Sequence, residues 1–392
     1  MKTVFWYIVF CLLVACNGKS NKNENMQNGL IVLDWDKNYP LKEIFLQEIA
    51  DVEYIPMETR ADVLLDGNSF HLTFMSDSLI VTKNKSGDIF VFNRQGENIH
   101  VFNRTGRDGE QYTKIAFMAV DFIKQEIFIT AYPQNQTIKV YAFDGTFKRV
   151  LKLPQNYELG HFFNYDEESL IAIDEYDINK ERKPLINPRP YVLISKIDGR
   201  ITPVDLTLKE RVTNSIYIPE LRRTVMWSIS ALLKNGRECF ISDFGADTVY
   251  RLENRKLIPF MVKRPSCAWN LNPPRIACVR LKTGRYVFVD FFEQKDPEQG
   301  GPENYRKLVY DQQTGEFFIY RLINQDYQPG KFERELGQFY CDLPLGYVRG
   351  KLSPTQLLQD YEAGKLQGKL KEVASRLNEE DNTVLMLVKF KE

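Results

Sequence analysis

Histidine is almost missing from this chain. Three occur in 392 residues, His71, His100 and His161, and none has a partner at the spacing of a metal-binding pair such as His-Glu-x-x-His. A metal site of that kind has no support, and no cofactor is expected. No Gly-x-Ser-x-Gly elbow occurs, and Gly106 and Gly109 stand too close together for a phosphate loop. Charge of one sign is lacking as well. Lys and Arg number 52 and Asp and Glu 52, a formal net charge of +0, so no basic excess exists to attract nucleic acid. Paired carboxylates such as Glu167-Glu168 offer little acid–base chemistry, because neighbours on a strand point to opposite faces. After residue 28 no stretch rich in Pro, Gly or Ser divides the chain into domains.

What is present begins at the N-terminus. Lys2 supplies a basic start, residues 4–14 form an almost unbroken apolar run, and Leu13-Val14-Ala15-Cys16 closes it with small residues before a cysteine. That layout is a secretory signal, and a run this short cannot span a bilayer as a mature helix. The Leu-x-Ala-Cys ending resembles the lipobox of bacterial lipoproteins. The resemblance implies that residues 1–15 are removed and that Cys16 becomes the lipid-bearing first residue, with the membrane as a partner. It implies an envelope location in the outer membrane. Residues after Cys16 lack an acidic run, which favours a periplasm-facing anchor over surface exposure. Residues 16–28, which read CNGKSNKNENMQN, are too polar to bury a core and form a flexible tether. The folded domain is expected over residues 29–392.

Four further cysteines, Cys239, Cys267, Cys278 and Cys341, permit three pairings in an exported protein. Cys239 and Cys278 lie in apolar strand-like runs, where a buried free thiol is the commoner outcome. The pairing stays open.

Aromatic content of 13%, in short alternating runs of Tyr and Phe, favours pleated, half-buried strands over helices. Turn signals follow such runs at Gly96, Gly145, Gly199, Asn254 and Gly315, which are 49, 54, 55 and 61 positions apart. That period is propeller-like, and each turn joins two strand-like runs preceded by two more, the content of one blade. Five units fit between residues 70 and 322, and residues 338–347 begin a sixth. Residues 354–377 then change period: Leu357, Leu358, Tyr361, Leu366, Leu370, Val373 and Leu377 mark an amphipathic helix with Ser353 at its N-cap and Pro354 in its first turn. A last strand follows over 383–390. The fold class is therefore all-β, a six-bladed β-propeller with a C-terminal helical insertion before the closing strand. Residues 384–389 and 52–56 are expected to close the ring.

These pieces resemble the six-bladed propeller lipoproteins of Bacteroides-type bacteria, related to NHL-repeat propellers. The resemblance is carried by Tyr54-Ile55-Pro56-Met57-Glu58-Thr59, by Gly106-Arg107-Asp108-Gly109-Glu110-Gln111-Tyr112 followed by Met118-Ala119-Val120-Asp121, by residues 138–145, by Ile241-Ser242-Asp243 with residues 247–252, and by residues 382–388. It implies an exported protein whose family has no assigned activity.

Candidate ligand residues come from loops. Arg107 and Tyr112 flank a glycine turn and would form a rim, or Tyr112 packs beneath a turn between blades. Residues 206–227 read as a long irregular connection carrying Arg211, Tyr217, Arg222, Arg223 and Trp227, and Arg with aromatic residues suits a sugar ring or an anionic partner. Trp269, between Pro265 and Pro274, is a second such place. Asp121 and Asp243 end strands in equivalent-looking units, where a bond to a turn amide competes with a ligand role. Two functions remain open: a non-enzymatic, lipid-anchored binding or scaffold module for an envelope protein or a glycan, and a carbohydrate-active hydrolase or lyase with its site on the axial face.

Overall fold

The computed structural model describes residues 25–27, 29–66, 72–179, 185–213, 215–226, 229–236, 238–266, 271, 273–293, 305–328 and 347–391. Cys16, Trp227, Cys267, Trp269, Cys341 and the expected start of the sixth unit at 338–346 lie outside the described residues.

Alternating apolar runs fold into six antiparallel sheets that form the blades of a propeller. Blade 1 is Thr73–Met75, Leu79–Lys83, Ile89–Asn93 and Asn98–Phe102. Blade 2 is Lys114–Asp121, Glu126–Tyr132, Gln134–Ala142 and Phe147–Lys152. Blade 3 is Leu159–Asn164, Ser169–Asp174, Tyr191–Ser195 and Ile201–Pro203. Blade 4 is Leu232–Asn235, Glu238–Ile241, Thr248–Glu253 and Lys256–Arg264. Blade 5 is Arg275–Lys282, Tyr286–Glu293, Tyr305–Asp311 and Glu316–Ile323. Blade 6 takes Tyr347–Leu352 and Val384–Phe390 from one end of the chain and Ala50–Pro56 from the other.

Val384–Phe390 lies between its two partners, antiparallel to both, and its pairing with Ala50–Pro56 runs from Val384 opposite Pro56 to Phe390 opposite Ala50. Two early strands add to outer edges. Leu30–Asp34 runs parallel to Lys256–Arg264 of blade 4, and Leu41–Phe45 runs parallel to Glu316–Ile323 of blade 5.

The five repeating turns all place their marker residue at positive φ: Gly96 at 87°, Gly145 at 84°, Gly199 at 78°, Asn254 at 48° and Gly315 at 71°. Twist-matched hairpins demand this backbone, and the glycines meet a second demand. A methyl group on Gly96 would stand 2.2 Å from the Pro56 carbonyl oxygen of blade 6, and one on Gly145 would stand 2.5 Å from the Phe102 ring of blade 1. The turn of each of these blades is thus pressed onto the outer strand of the blade before it.

Each pair of neighbouring blades encloses its own apolar cluster. Ile55, Leu385 and Leu387 of blade 6 meet Ile80, Phe90 and Phe92 of blade 1; Phe128 and Val140 of blade 2 meet Leu170 and Val192 of blade 3. Burial at about 25 cal/mol per Å² across six such contacts is what holds the ring.

The expected single helix over 354–377 is two, Pro354–Glu362 and Gly368–Ala374. The break has a cause: Gly364 turns at φ 66°, and the linker pairs with blade 5's exit through a Tyr327–Leu366 bridge and the bonds Gln328 N to Lys365 O and Gln367 N to Asp326 O, each 2.8 Å. Ser353 occupies the N-cap position without a side-chain cap bond. Leu357, Leu366 and Leu370 bury against the cluster between blades 5 and 6.

Candidate ligand-binding face

In an antiparallel blade successive turns alternate between the two ends of the ring. The turn after each second strand shares one end with the crossover to the next blade. On that end the crossover from blade 3 to blade 4 is long, because blade 3's last strand stops at Pro203. It stays close to the surface: Leu208 N donates to Pro188 O at 2.7 Å, and Arg211 Nη1 donates to Asp174 O at 2.9 Å. Further on, Glu210 O and Val212 Cγ2 each lie 3.4 Å from the position a β-carbon would take on Gly245, so the crossover rests on the blade 4 loop.

Beneath it sits a group of polar residues that sequence reasoning largely missed. Asp174 is wholly buried and accepts bonds from Glu158 N at 2.9 Å, Tyr176 N at 3.1 Å and Asn187 Nδ2 at 2.6 Å. Burial still holds its carboxyl above the usual range. Glu175 is pushed up to about 7, first by burial, with Glu158 and Asp174 adding and Arg211 opposing. Its carboxylate lies over the inner strand of blade 3, where Oε1 is 2.3 Å from the place a methyl on Gly160 would occupy. Beside Gly160 on the same strand, His161 stacks edge-on against Phe117 with ring centroids 4.6 Å apart, and burial lowers it to about 3. Asp243 accepts from Gly245 N at 2.8 Å and from the Tyr191 hydroxyl at 2.7 Å, and Lys263 Nζ donates to the Asp243 carbonyl at 3.0 Å. Burial drives Tyr191 well above and Lys263 below their ordinary values. Cys278 nearby is a buried free thiol pushed up to about 12, and Cys239 is a buried thiol as well. A thiol so protonated is chemically quiet.

Within the crossover lies a hairpin. Ser215–Ile218 and Arg223–Met226 pair with each other and with no other strand of the described residues, from Ser215 opposite Met226 to Ile218 opposite Arg223. Pro219–Leu221 makes a single 3-10 turn at the tip, closed by Arg222 at φ 48°. Tyr217 is 59% exposed and Leu221 44%, while Ile218 is buried and Val225 packs toward the cluster shared by blades 3 and 4. The connection expected to be irregular is therefore a formed β-arm.

The sequence-derived candidates scatter. Arg222 stands exposed at the tip, whereas Arg223 is half-buried in the strand after it. Arg107 is exposed on the crossover between blades 1 and 2, at the same end of the ring. Two residues are corrected. Tyr112 is 1% exposed, its hydroxyl donates to Gly87 O at 2.8 Å and accepts from Arg104 N at 3.1 Å, and it belongs to the core between blades 1 and 2. Asp243 has both oxygens committed inside the fold and offers neither to a ligand. Nor is it equivalent to Asp121. Asp121 lies at the opposite end, in the turn after a first strand, where it caps Ile123 N and Lys124 N at 3.0 Å and meets buried Lys196 Nζ at 2.6 Å.

Among the described residues no group of three or more His, Cys, Asp or Glu is placed to hold a metal ion, and no helix is long and apolar enough to cross a membrane.

Comparison with known proteins adds the fold's relatives. Residues 30–389 match the model of a family described as a domain of unknown function, DUF4934. A Bacteroides fragilis protein described as exported superposes with a TM-score of 0.63 at 16% identity, covering 93% of this chain and 100% of that one. A Bacteroides vulgatus member of the DUF4221 family reaches 0.45 at 9% identity, covering 88% and 98%. At these identities the likeness concerns the fold alone. No match was found among curated protein sequences.

Proposed function

The chain belongs to the DUF4934 family, and we propose that it is an exported, lipid-anchored propeller of the cell envelope that binds a partner protein without catalysis. The reading is carried by the β-arm at 215–226: a hairpin that pairs with no other strand among the described residues and presents Tyr217, Leu221 and Arg222 to solvent. Tyr and Arg are enriched at protein interfaces, and an exposed hairpin face suits a protein surface better than enclosure of a small sugar. The signal-like residues 4–14 and the lipobox-like approach to Cys16 support export and anchoring. A hydrolase acting through two carboxyls needs both free to reach one sugar. Asp174 and Asp243 have theirs bound within the fold and offer neither to a sugar.

The experiment is photo-crosslinking in intact cells with a photoreactive amino acid at position 217 of the full-length protein. A discrete protein adduct is expected. Arg222→Gly should lower its yield while leaving the melting temperature unchanged or higher, because glycine suits φ 48°. Cys16→Ser should release the protein from the membrane fraction. A protein adduct insensitive to Arg222→Gly, adducts to carbohydrate only, or a membrane-bound Cys16→Ser variant overturns the corresponding part of the reading.

A further inference from the structure

The end of the ring opposite the β-arm carries a cleft of about 800 Å³, bounded by the turns after the first strands of blades 2, 3 and 4 and by the outer hairpin of blade 4. That volume is in the range of ligand-binding pockets. Its walls are dense in charge yet balanced, and the cations are already engaged. Arg251 pairs with Glu238 at 3.5 Å and Glu253 at 3.0 Å. Arg255 crosses from blade 4 to blade 3, meeting Asp166 at 3.2 Å and Glu168 at 3.1 Å, and Lys124 Nζ donates to Glu167 O at 2.6 Å. An anionic ligand would have to draw Arg251 or Arg255 from its carboxylates, and a cationic one would meet the repulsion of those same arginines.

Among the described residues two polar atoms of the wall remain unmet: Asn164 Oδ1 and Arg251 Nε are shielded from solvent and have no hydrogen-bond partner there. The Asn164 side chain ends in an amide whose last torsion is soft, so either amide atom turns toward the cleft at small cost. Beside it Tyr165 and the 84% exposed Ile123 supply an apolar surface.

We propose that this cleft is a binding site for an uncharged carbohydrate, with the Asn164 amide turned into the cleft to bond ring hydroxyls and Tyr165 and Ile123 covering a sugar face. Hydroxyl groups both donate and accept, so such a ligand bonds either atom of that amide without breaking any ion pair. A saccharide also presents C–H faces to apolar and aromatic side chains. The site is independent of the β-arm, and success or failure at one end of the ring leaves the other untouched.

The test is calorimetric titration of the full-length protein in detergent with uncharged hexasaccharides of glucose, xylose and mannose, alongside hexagalacturonate and a chitosan hexamer. At least one uncharged hexasaccharide binds, and the charged ones bind about tenfold more weakly or not at all. Asn164→Leu weakens binding about tenfold or more while the melting temperature stays level or rises, because an unmet polar atom has been removed. Arg222→Gly, at the other end, leaves the titration unchanged. The proposal is overturned if no uncharged hexasaccharide binds at about 1 mM, if the charged ones bind as well, or if Asn164→Leu binds like the wild type.

Discussion

Glu175 and Asp174 are adjacent in sequence and opposite in circumstance. Asp174 is held by three donors, whereas Glu175 meets mainly burial and other carboxyls and keeps its proton up to about pH 7. In the unfolded chain the same glutamate ionises near its ordinary value of 4.5. Between those values the folded state binds more protons than the unfolded state, so stability falls as pH rises from about 4.5 to about 7. Glu175→Gln removes that dependence. Melting curves should show the variant close to wild type at about pH 5 and more stable at about pH 8; an equal difference at both values would mean that Glu175 ionises normally. Glu175 was illegible in the sequence, since it owes its state to Glu158 and Arg211 on other segments, whereas Tyr112 beneath a turn and Asp243 bonded to a turn amide were each one of the two readings the sequence offered. The sequence showed that residues 206–227 were rich in Arg and aromatics, but not that Arg223 would turn half inward while Arg222 stood at a tip.

At the scale of elements the repeat was readable because one physical demand recurs. Each outer hairpin needs a residue at positive φ, and in blades 1 to 3 that residue is also pressed toward the neighbouring blade, so Gly or Asn returned at nearly regular intervals. The C-terminal helix was less legible: its leucines keep helical spacing across Gly364, and only the bridge to Tyr327 shows why the chain stops and restarts. The strands Leu30–Asp34 and Leu41–Phe45 escaped notice altogether, being short and lying next to the polar tether. Their role is an edge role. They cover the outer strands of blades 4 and 5, which would otherwise present unpaired backbone along Lys256–Arg264 and Glu316–Ile323. A chain that begins after residue 45 behind a foreign signal peptide should self-associate. Light scattering after size exclusion checks this, and a monomer with the wild-type melting temperature would show that these strands protect nothing.

For the whole molecule the decisive event is closure, because a ring of six blades is only as cooperative as its one seam between chain ends. The need to avoid a gap requires residues 384–389 and 52–56 to meet, and the strands that contain them, Val384–Phe390 and Ala50–Pro56, pair along seven residues. The latch beside the seam has no such signal in the sequence. Asn382, 4% exposed, donates through Nδ2 to the carbonyls of Glu58 and Val63, both at 2.7 Å, and accepts from Leu65 N at 2.8 Å, while its own amide donates to Thr59 Oγ1 at 2.7 Å. One side chain thus binds the approach to the last strand to the segment that follows the first closing strand. Asn382→Ala leaves two carbonyls and an amide without partners in a buried place, at a cost of about 3 kcal/mol. Asn382→Asp should cost more, since its carboxylate faces those same carbonyls. The loss should be local before it is global: amides of Val384–Phe390 should lose hydrogen-exchange protection in Asn382→Ala while those of blades 2 and 3 keep theirs. Uniform loss of protection around the ring would instead mean that the seam is no weaker than the other five contacts between blades, and that the propeller opens everywhere at once.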